Sequence, residues 1–257
     1  MLMAERHREI VNLVNREGSV RVNLLAKRFD VTEETIRRDL QALEIERKLL
    51  RSHGGAVNLI SGEAETSFFE RQEKETPEKT AIAREAVTRL ADGDSILLDA
   101  STTAWHMARM MPNMRITVLT NAVKVALELA NLSRVKVLFT GGTLSSASLS
   151  VTGPLAERTL KEYHVNKAFL SCKGLDPSLG ASDSSESQAL LKRQMLGIAD
   201  KRYLLADHSK FGVQSLCVFA FLPDFHEIIT DAKVAPESLE ALKSSGIKVT
   251  VAKGGEH

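Results

Sequence analysis

Four segments of the chain carry residues that could hold a phosphate or read hydroxyl groups. In Asp99-Ala-Ser-Thr-Thr103 the hydroxyls of Ser101, Thr102 and Thr103 fall where a helix begins. The free N–H groups of a helix start attract an anion. Thr120-Asn121 adds a hydroxyl and an amide, and Gly141-Gly142 lets a ligand come close to the backbone. Asp207-His-Ser-Lys-Phe211 supplies a cation, Lys210, beside a carboxylate. A further stretch runs from Ser171-Cys-Lys-Gly-Leu175 to Ser182-Asp-Ser-Ser-Glu186, offering Lys173, Asp183 and Glu186 for sugar hydroxyls. Each feature alone also has a plain structural reading: a helix cap, a turn, a surface lysine, a polar loop.

What joins them is the order of elements before them. Apolar, strand-like runs at 95–99, 116–120, 135–140, 167–171, 202–206, 227–230 and 248–251 alternate with helical patterns. The helices fall near 103–111, 122–132, 154–162, 187–199 and 237–244. That alternation predicts an α/β fold with a mostly parallel sheet covered by helices on both faces. In such sheets ligands collect at the carboxyl ends of the strands. The first four segments all follow strand-like runs, so Asp99, Thr120, Asn121, Gly141, Gly142, Asp207 and Lys210 are expected at one edge of one sheet.

The first fifty-odd residues read differently. Ile10, Leu13 and Val14 recur at helical spacing before Gly18, and a second amphipathic run spans Val22 to Phe29. Thr32 is a good N-cap for a third helix, with Glu33 and Glu34 in its first turn. Ile36, Leu40 and Leu43 form its apolar stripe, while Thr35, Arg37, Arg38 and Gln41 project elsewhere. Two strand-like runs then flank Gly54-Gly55, which suits a two-residue hairpin loop. Three helices and a hairpin make the winged helix-turn-helix order, in which the third helix enters the major groove. Thr32, Glu34, Thr35, Arg37, Arg38 and Gln41 are the expected groove residues, with Arg51 and His53 of the hairpin on the backbone or in the minor groove. The plainer alternative has these arginines solvated, or paired with Asp39 and Glu34.

The string Val31-Thr-Glu-Glu-Thr-Ile-Arg-Arg-Asp-Leu40, followed by Arg51-Ser-His-Gly-Gly-Ala56, resembles the signature of DeoR-type bacterial regulators of sugar catabolism. The resemblance continues through the strand-end motifs. It implies a sensor domain related in fold to ribose-5-phosphate isomerase and coenzyme A transferases. It also implies a phosphorylated sugar as effector, double-stranded operator DNA as partner, and a repressor's role. In many such relatives the first loop reads Asp-x-Gly-Thr-Thr; here Ser101 stands in place of the glycine, and Asn166 occupies a commonly acidic position. The strings around Trp105 and Cys172 resemble the fucose and rhamnose branch.

The expected organisation is a winged helix-turn-helix at 1–57, a Ser/Glu/Thr-rich linker at 58–76 anchored by Phe68-Phe69, and an effector domain at 77–257 opening with Pro77. A homo-oligomer, dimer or tetramer, would hold two DNA-binding units at fixed spacing. Net charge is only +1, and residues 1–56 carry 11 Lys/Arg against 9 Asp/Glu, so bulk charge does not announce DNA. No signal pattern or membrane-length apolar run appears, and Cys172 and Cys217 are expected as reduced thiols in a cytoplasmic protein. His106 and His164 lack metal-site spacing, and no cofactor is expected. Met107, Met110, Met111 and Met114 suit a core or a subunit interface. The rival reading is a sugar-phosphate isomerase with an added DNA-binding domain, using Asp99, Asp207 and Lys210. A third is a DNA-binding or scaffold protein with no ligand.

Overall fold

The computed structural model describes residues 3–17, 19–46, 48–52, 55–57 and 66–254. They form two compact units, Met1–Ser67 and Phe68–His257.

In the first unit, helix α1 (Met3–Glu17) leads into strand β1 (Ser19–Arg21), helices α2 (Val22–Phe29) and α3 (Glu33–Ile45), and strands β2 (Leu50–Ser52) and β3 (Gly55–Val57). The apolar stripes of the three helices meet in one core: Ile10, Leu13, Val14, Leu25, Ile36, Leu40 and Leu43 are buried together with Leu49 and Ala56. Thr32 caps α3 as its residue type predicts, its hydroxyl accepting from the Thr35 N–H at 3.2 Å. The strands make an antiparallel sheet ordered β1-β3-β2. Gly55 is the first residue of β3 rather than part of a Gly-Gly loop, pairing with both Arg21 and Ser52. A Cβ there would lie 1.8 Å from the Val20 carbonyl oxygen, so close backbone approach requires the glycine. His53 and Gly54 lie outside the described residues.

The second unit opens with α4 (Phe68–Glu73) and α5 (Thr76–Val87), so part of the stretch expected as linker is helical. Burial decides this: Phe68 is 2% exposed and packs edge-on against Trp105, 5.8 Å between ring centroids. Then follow β4 (Ser95–Leu98), α6 (Thr102–Arg109), β5 (Ile116–Thr120), α7 (Val123–Leu129), β6 (Val135–Phe139), β7 (Thr143–Ser145), β8 (Ser150–Thr152) and α8 (Pro154–Lys161). The chain continues as β9 (Val165–Ser171), β10 (Gly174–Asp176), β11 (Gly180–Asp183), α9 (Glu186–Gly197), β12 (Ala199–Leu205), β13 (Cys217–Ala220), β14 (Glu227–Thr230), α10 (Pro236–Ser244) and β15 (Lys248–Val251). All seven anticipated strands join one parallel sheet, ordered β15-β14-β12-β9-β4-β5-β6.

Alternation along these strands feeds two cores. Ile96, Leu98, Val118, Phe169, Tyr203 and Leu205 face Ile82, Ala104, Met107 and Val125 of α5, α6 and α7. Leu97, Leu119, Ala168, Leu170 and Leu204 face Leu160, Leu191, Met195 and Leu242 of α8, α9 and α10. The chain winds outward from β4 through β5 to β6, then returns to the other side of β4 as β9, so the direction reverses between β4 and β9. A crevice at the carboxyl ends of those two strands follows from that reversal. The small strands β7, β8, β10, β11 and β13 have no counterpart in the sequence reading, because three- and four-residue runs carry too little periodicity. No helix among the described residues is long and apolar enough to cross a membrane.

Ion pairs seal the opposite, amino end of the sheet. Glu227 is buried beside Arg89 (2.7 Å), Lys248 (3.0 Å) and the Thr250 hydroxyl (2.6 Å). Burial would raise the Glu227 carboxyl; Arg89, Thr250 and Lys248 outweigh it and pull the group from 4.5 down to about 2. A depressed carboxylate stabilises the fold above its unfolded pKa and loses that contribution as pH falls through the folded one. Urea unfolding followed by the fluorescence of Trp105, the single tryptophan, should therefore lose about 3 kcal/mol from this group between pH 4.5 and 2. The Glu227→Gln variant should show a correspondingly flatter acid limb.

Candidate DNA-reading helix and effector site

The outward side of α3 bears Glu33, Glu34, Arg37, Arg38 and Gln41, while Ile36, Asp39, Leu40 and Leu43 are buried. Arg37 Nη2 lies 2.8 Å from Glu33 and its Nη1 3.9 Å from Glu34; Arg38 Nε lies 3.6 Å from Glu34. These are exposed pairs one helical turn apart, each worth only a few tenths of a kcal/mol, so the guanidinium groups are easily released to phosphate or a base edge. Thr32 and Thr35 are tied to each other at the helix start, 2.9 Å between hydroxyl oxygens. Arg51 lies on β2 opposite Ala56, while the His53 assignment falls outside the described residues.

Asp39, which only the plainer alternative paired with the arginines, does something else. Its buried carboxylate accepts from Arg6 Nε at 2.5 Å and Nη2 at 3.0 Å, and lies 3.0 Å from His7 Nε2. Desolvation would raise the Asp39 carboxyl, but Arg6 and His7 hold it below its usual value. Helix α3 is thus bolted to α1 through a charged group inside the apolar stripe.

In the second unit the strand-end residues assemble along one edge. Asp99, 1% exposed, follows β4; its Oδ1 accepts from the Ser101 N–H (3.0 Å) and its Oδ2 from the Ser171 N–H at the end of β9 (2.8 Å). Ser101 caps α6 by accepting from the Ala104 N–H at 3.0 Å, with Thr102 and Thr103 buried behind it. The Thr120 hydroxyl donates to the Leu98 carbonyl (2.7 Å), and the Asn121 amide donates to the Val151 carbonyl (3.0 Å). Gly141 and Gly142 after β6 both have positive φ, 69° and 129°, and a Cβ on Gly142 would meet the Thr152 carbonyl oxygen at 2.6 Å. Asp207 after β12 accepts from Ser209 through Oδ1, and its Oδ2 lies 3.6 Å from Lys210 Nζ. Lys173 and Glu186 are exposed, whereas Asp183 is buried.

The crevice holds a residue that sequence reasoning missed. Lys192 of α9 is buried, and its Nζ lies 2.8 Å from Asp183 Oδ2, 3.3 Å from Asp99 Oδ2, and 2.7 Å from the Ser171 carbonyl oxygen. Burial would lower this ammonium, but Asp183 and Asp99 overcome it and hold Lys192 above the ordinary lysine value. Asp183 is held low in turn by Lys192, against its own burial. The signal was present: Gln188, Lys192 and Met195 share one buried helical stripe, and a charge there must face a buried partner. Gln188 reaches from the same stripe to the hydroxyls of Ser148 and Ser150, at 3.3 and 2.7 Å. The thiol of Cys172 beside this cluster is pushed up to about 12 by burial, which leaves it inert as a nucleophile.

A helix-turn-helix joined to a doubly wound α/β unit, with polar groups converging at its strand ends, defines a two-part DNA-binding regulator. Comparison with known proteins agrees. Residues 6–61 match the DeoR-like helix-turn-helix domain and residues 74–232 the DeoR C terminal sensor domain. The chain is 52% identical to an uncharacterized HTH-type transcriptional regulator of Bacillus subtilis, covering 97% of each chain. It is 37% identical to the L-fucose operon activator of Haemophilus influenzae, covering 93% of this chain and 95% of that one. A ribose 5-phosphate isomerase A from Methanocaldococcus jannaschii aligns over 52% of this chain with a TM-score of 0.39 and 17% identity. The chain belongs to the DeoR family of transcriptional regulators, and is a regulator rather than an isomerase.

Removing one member of the buried Asp99–Lys192–Asp183 set leaves uncompensated charge. Lys192→Met should cost about 3–5 kcal/mol of stability in urea unfolding monitored at Trp105. A cost of only a few tenths would mean that the triad does not hold the crevice together.

Proposed function

We propose that the chain controls a carbohydrate operon by docking α3 in the major groove of operator DNA, with a phosphorylated sugar at the strand ends of the second unit as its effector. The observation that carries the effector half is a set of buried acceptors. Among the described residues, Asn121 Oδ1 after β5 and Thr230 Oγ1 at the end of β14 are buried and make no hydrogen bond, and Asp207 Oδ2 after β12 makes none either, its nearest cation being Lys210 Nζ at 3.6 Å. A buried acceptor without a donor costs about 1–3 kcal/mol. Sugar hydroxyls are donors of the kind these positions lack, and the α6 start, the Gly141-Gly142 backbone and Lys210 are suited to the phosphate. The residues given to the effector are Asp99, Ser101, Thr102, Thr103, Thr120, Asn121, Gly141, Gly142, Lys173, Asp183, Glu186, Asp207 and Lys210.

The residues given to DNA are Thr32, Glu34, Thr35, Arg37, Arg38 and Gln41 on and before α3, with Arg51 and His53 on the wing. A homo-oligomer would set two α3 helices about 34 Å apart, on successive turns of the duplex. Likeness to the L-fucose operon activator makes phosphorylated deoxysugars the first effectors to try. Repression relieved by the effector is the proposed direction of control, because an effector that favours one arrangement of the units shifts the DNA-competent population.

The test is a gel shift on DNA upstream of the chain's own gene, at several salt concentrations and with a panel of sugar phosphates. Arg37→Ala and Arg38→Ala should each weaken operator binding by about 1–3 kcal/mol and lower the salt dependence if the contact is to phosphate. Unchanged affinity in both would remove α3 from the groove. Lys210→Ala should bind operator as the wild type does yet lose its response to the sugar phosphate; a normal response would take Lys210 out of the site.

A further inference from the structure

A short hairpin ties the edge given to the effector to the first residue of the second unit. Strands β7 (Thr143–Ser145) and β8 (Ser150–Thr152) pair antiparallel, with Thr143 opposite Thr152. Both roots of this hairpin meet residues assigned above to the effector. At one root, Gly142 runs directly into β7 and lies so near β8 that a Cβ on it would stand 2.6 Å from the Thr152 carbonyl oxygen. At the other, Asn121 makes two bonds with Val151. Its carbonyl accepts from the Val151 N–H (2.9 Å), and its side-chain amide donates to the Val151 carbonyl (3.0 Å). The Asn121 Oδ1 that makes no hydrogen bond belongs to the same amide.

The tip of the hairpin reaches the start of α4. The Ala147 carbonyl accepts from the N–H of Phe68 at 2.7 Å, and Phe68 is the residue with which the second unit begins. That N–H is one of the donors left free where a helix starts, and the six residues of α4 are too few to hold a helix unaided in water. Lys124 of α7, three residues after Asn121, lies over the rings of Phe68 and Phe69, 5.9 and 5.3 Å from their centroids. Within the turn, Leu149 holds φ 49°, a left-handed conformation that a leucine keeps only where its surroundings impose it. Its carbonyl accepts from the Val123 N–H at 2.9 Å. Gln188 of α9 supplies the other restraint. Its Nε2 donates to the hydroxyls of Ser148 (3.3 Å) and Ser150 (2.7 Å), which lie 2.9 Å from each other, and all three side chains are buried. Such a network is stiff, because a buried hydroxyl that lets go finds no water to replace its partner.

We propose that the β7–β8 hairpin is the lever by which effector occupancy reaches α4 and the chain that enters it from the DNA-binding unit, with Gln188 as the positioning residue that keeps the lever rigid. The inference rests on the effector reading given above. A sugar hydroxyl donating to Asn121 Oδ1, or a phosphate set against the Gly141-Gly142 backbone, displaces a root of the hairpin. Ser148 and Ser150 are fixed to α9, so the hairpin pivots about Gln188 instead of absorbing the displacement in its tip. Ala147 then moves against Phe68, and the start of α4 follows. Only hydrogen bonds rearrange, and no covalent step is involved. Lys210, whose partners are Asp207 and Ser209, stands outside the lever. Its loss therefore weakens the hold on a ligand without moving the hairpin.

Roots and tip can be perturbed in the full-length protein without any ligand. Gly142→Ala forces the first root apart with its added Cβ. Asn121→Ala cuts the side-chain bond of the second root without adding bulk, which keeps the test available if the first variant fails to fold. Each should change affinity for the upstream DNA by about fivefold or more. On a Gln188→Ala background the same substitutions should change it by less than about twofold, the mark of residues acting through one interaction. The Phe68 amide hydrogen should exchange about fivefold faster or more in Gln188→Ala, and in the Ser148→Ala/Ser150→Ala double variant, than in the wild type. Gln194→Ala removes a different amide from α9, one bonded to Glu157 at 3.1 Å. It should leave the Phe68 exchange rate and the effects of both root substitutions as they are in the wild type. Equal root effects with and without Gln188, or an unchanged Phe68 exchange rate, would overturn the lever. The exchange measurement uses no DNA. A Phe68 amide that responds as expected, in a protein that ignores its upstream DNA, would leave the hairpin's grip on α4 standing and defeat the functional reading instead.

Discussion

The reversal of strand order between β4 and β9 leaves two strand ends that no crossover helix closes, and Lys192 occupies the seam. Its ammonium lies against Asp99 after β4, Asp183 at the end of β11 and the carbonyl of Ser171 at the end of β9. A lysine buried without partners would surrender its proton or unfold the region around it. With two carboxylates it stays charged and fixes three strand ends and α9 with respect to one another. The remaining strand-end groups, from the capped start of α6 to the glycine pair after β6, take their positions from that fixed seam.

The two ends of the parallel sheet are chemically opposite. At the amino end, Glu227 is satisfied by Arg89, Lys248 and Thr250, and Asp94 by Lys167 at 2.5 Å. Those pairs contribute stability, although Arg202 Nε near the same end of β12 is buried with no hydrogen-bond partner. At the carboxyl end, Asn121, Asp207 and Thr230 retain buried oxygens that accept nothing. Those unsatisfied oxygens lie at the edge proposed for the effector, the edge where ligands collect in sheets of this kind.

The DNA-binding unit uses the same device at smaller scale. A buried Asp39 anchors α3 to Arg6 and His7 on α1, so the helix is held by its inner side. Its outer arginines are left in weak, exposed pairs with Glu33 and Glu34. Strong contacts set the orientation of the helix, and weak ones leave its outward guanidinium groups easily re-paired.

Asp39 and Lys192 mark the boundary between what could be read and what could not. The alternation of strand and helix, the cap at Thr32 and the placement of polar residues after strands are local properties, so the fold class, all seven parallel strands and the edge carrying the candidate site were legible in the chain. Each of the two charged residues sits within a buried i, i+3, i+4, i+7 stripe: 36-39-40-43 and 188-191-192-195. That spacing says such a charge is buried, but not what it meets. Arg6 lies 33 residues from Asp39, and Asp99 lies 93 residues from Lys192. The amino-acid sequence determined which side of each helix turns inward, because periodicity is a property of neighbours along the chain. Only the tertiary structure decided the partner of each inward charge, because electrostatic compensation depends on distance in space.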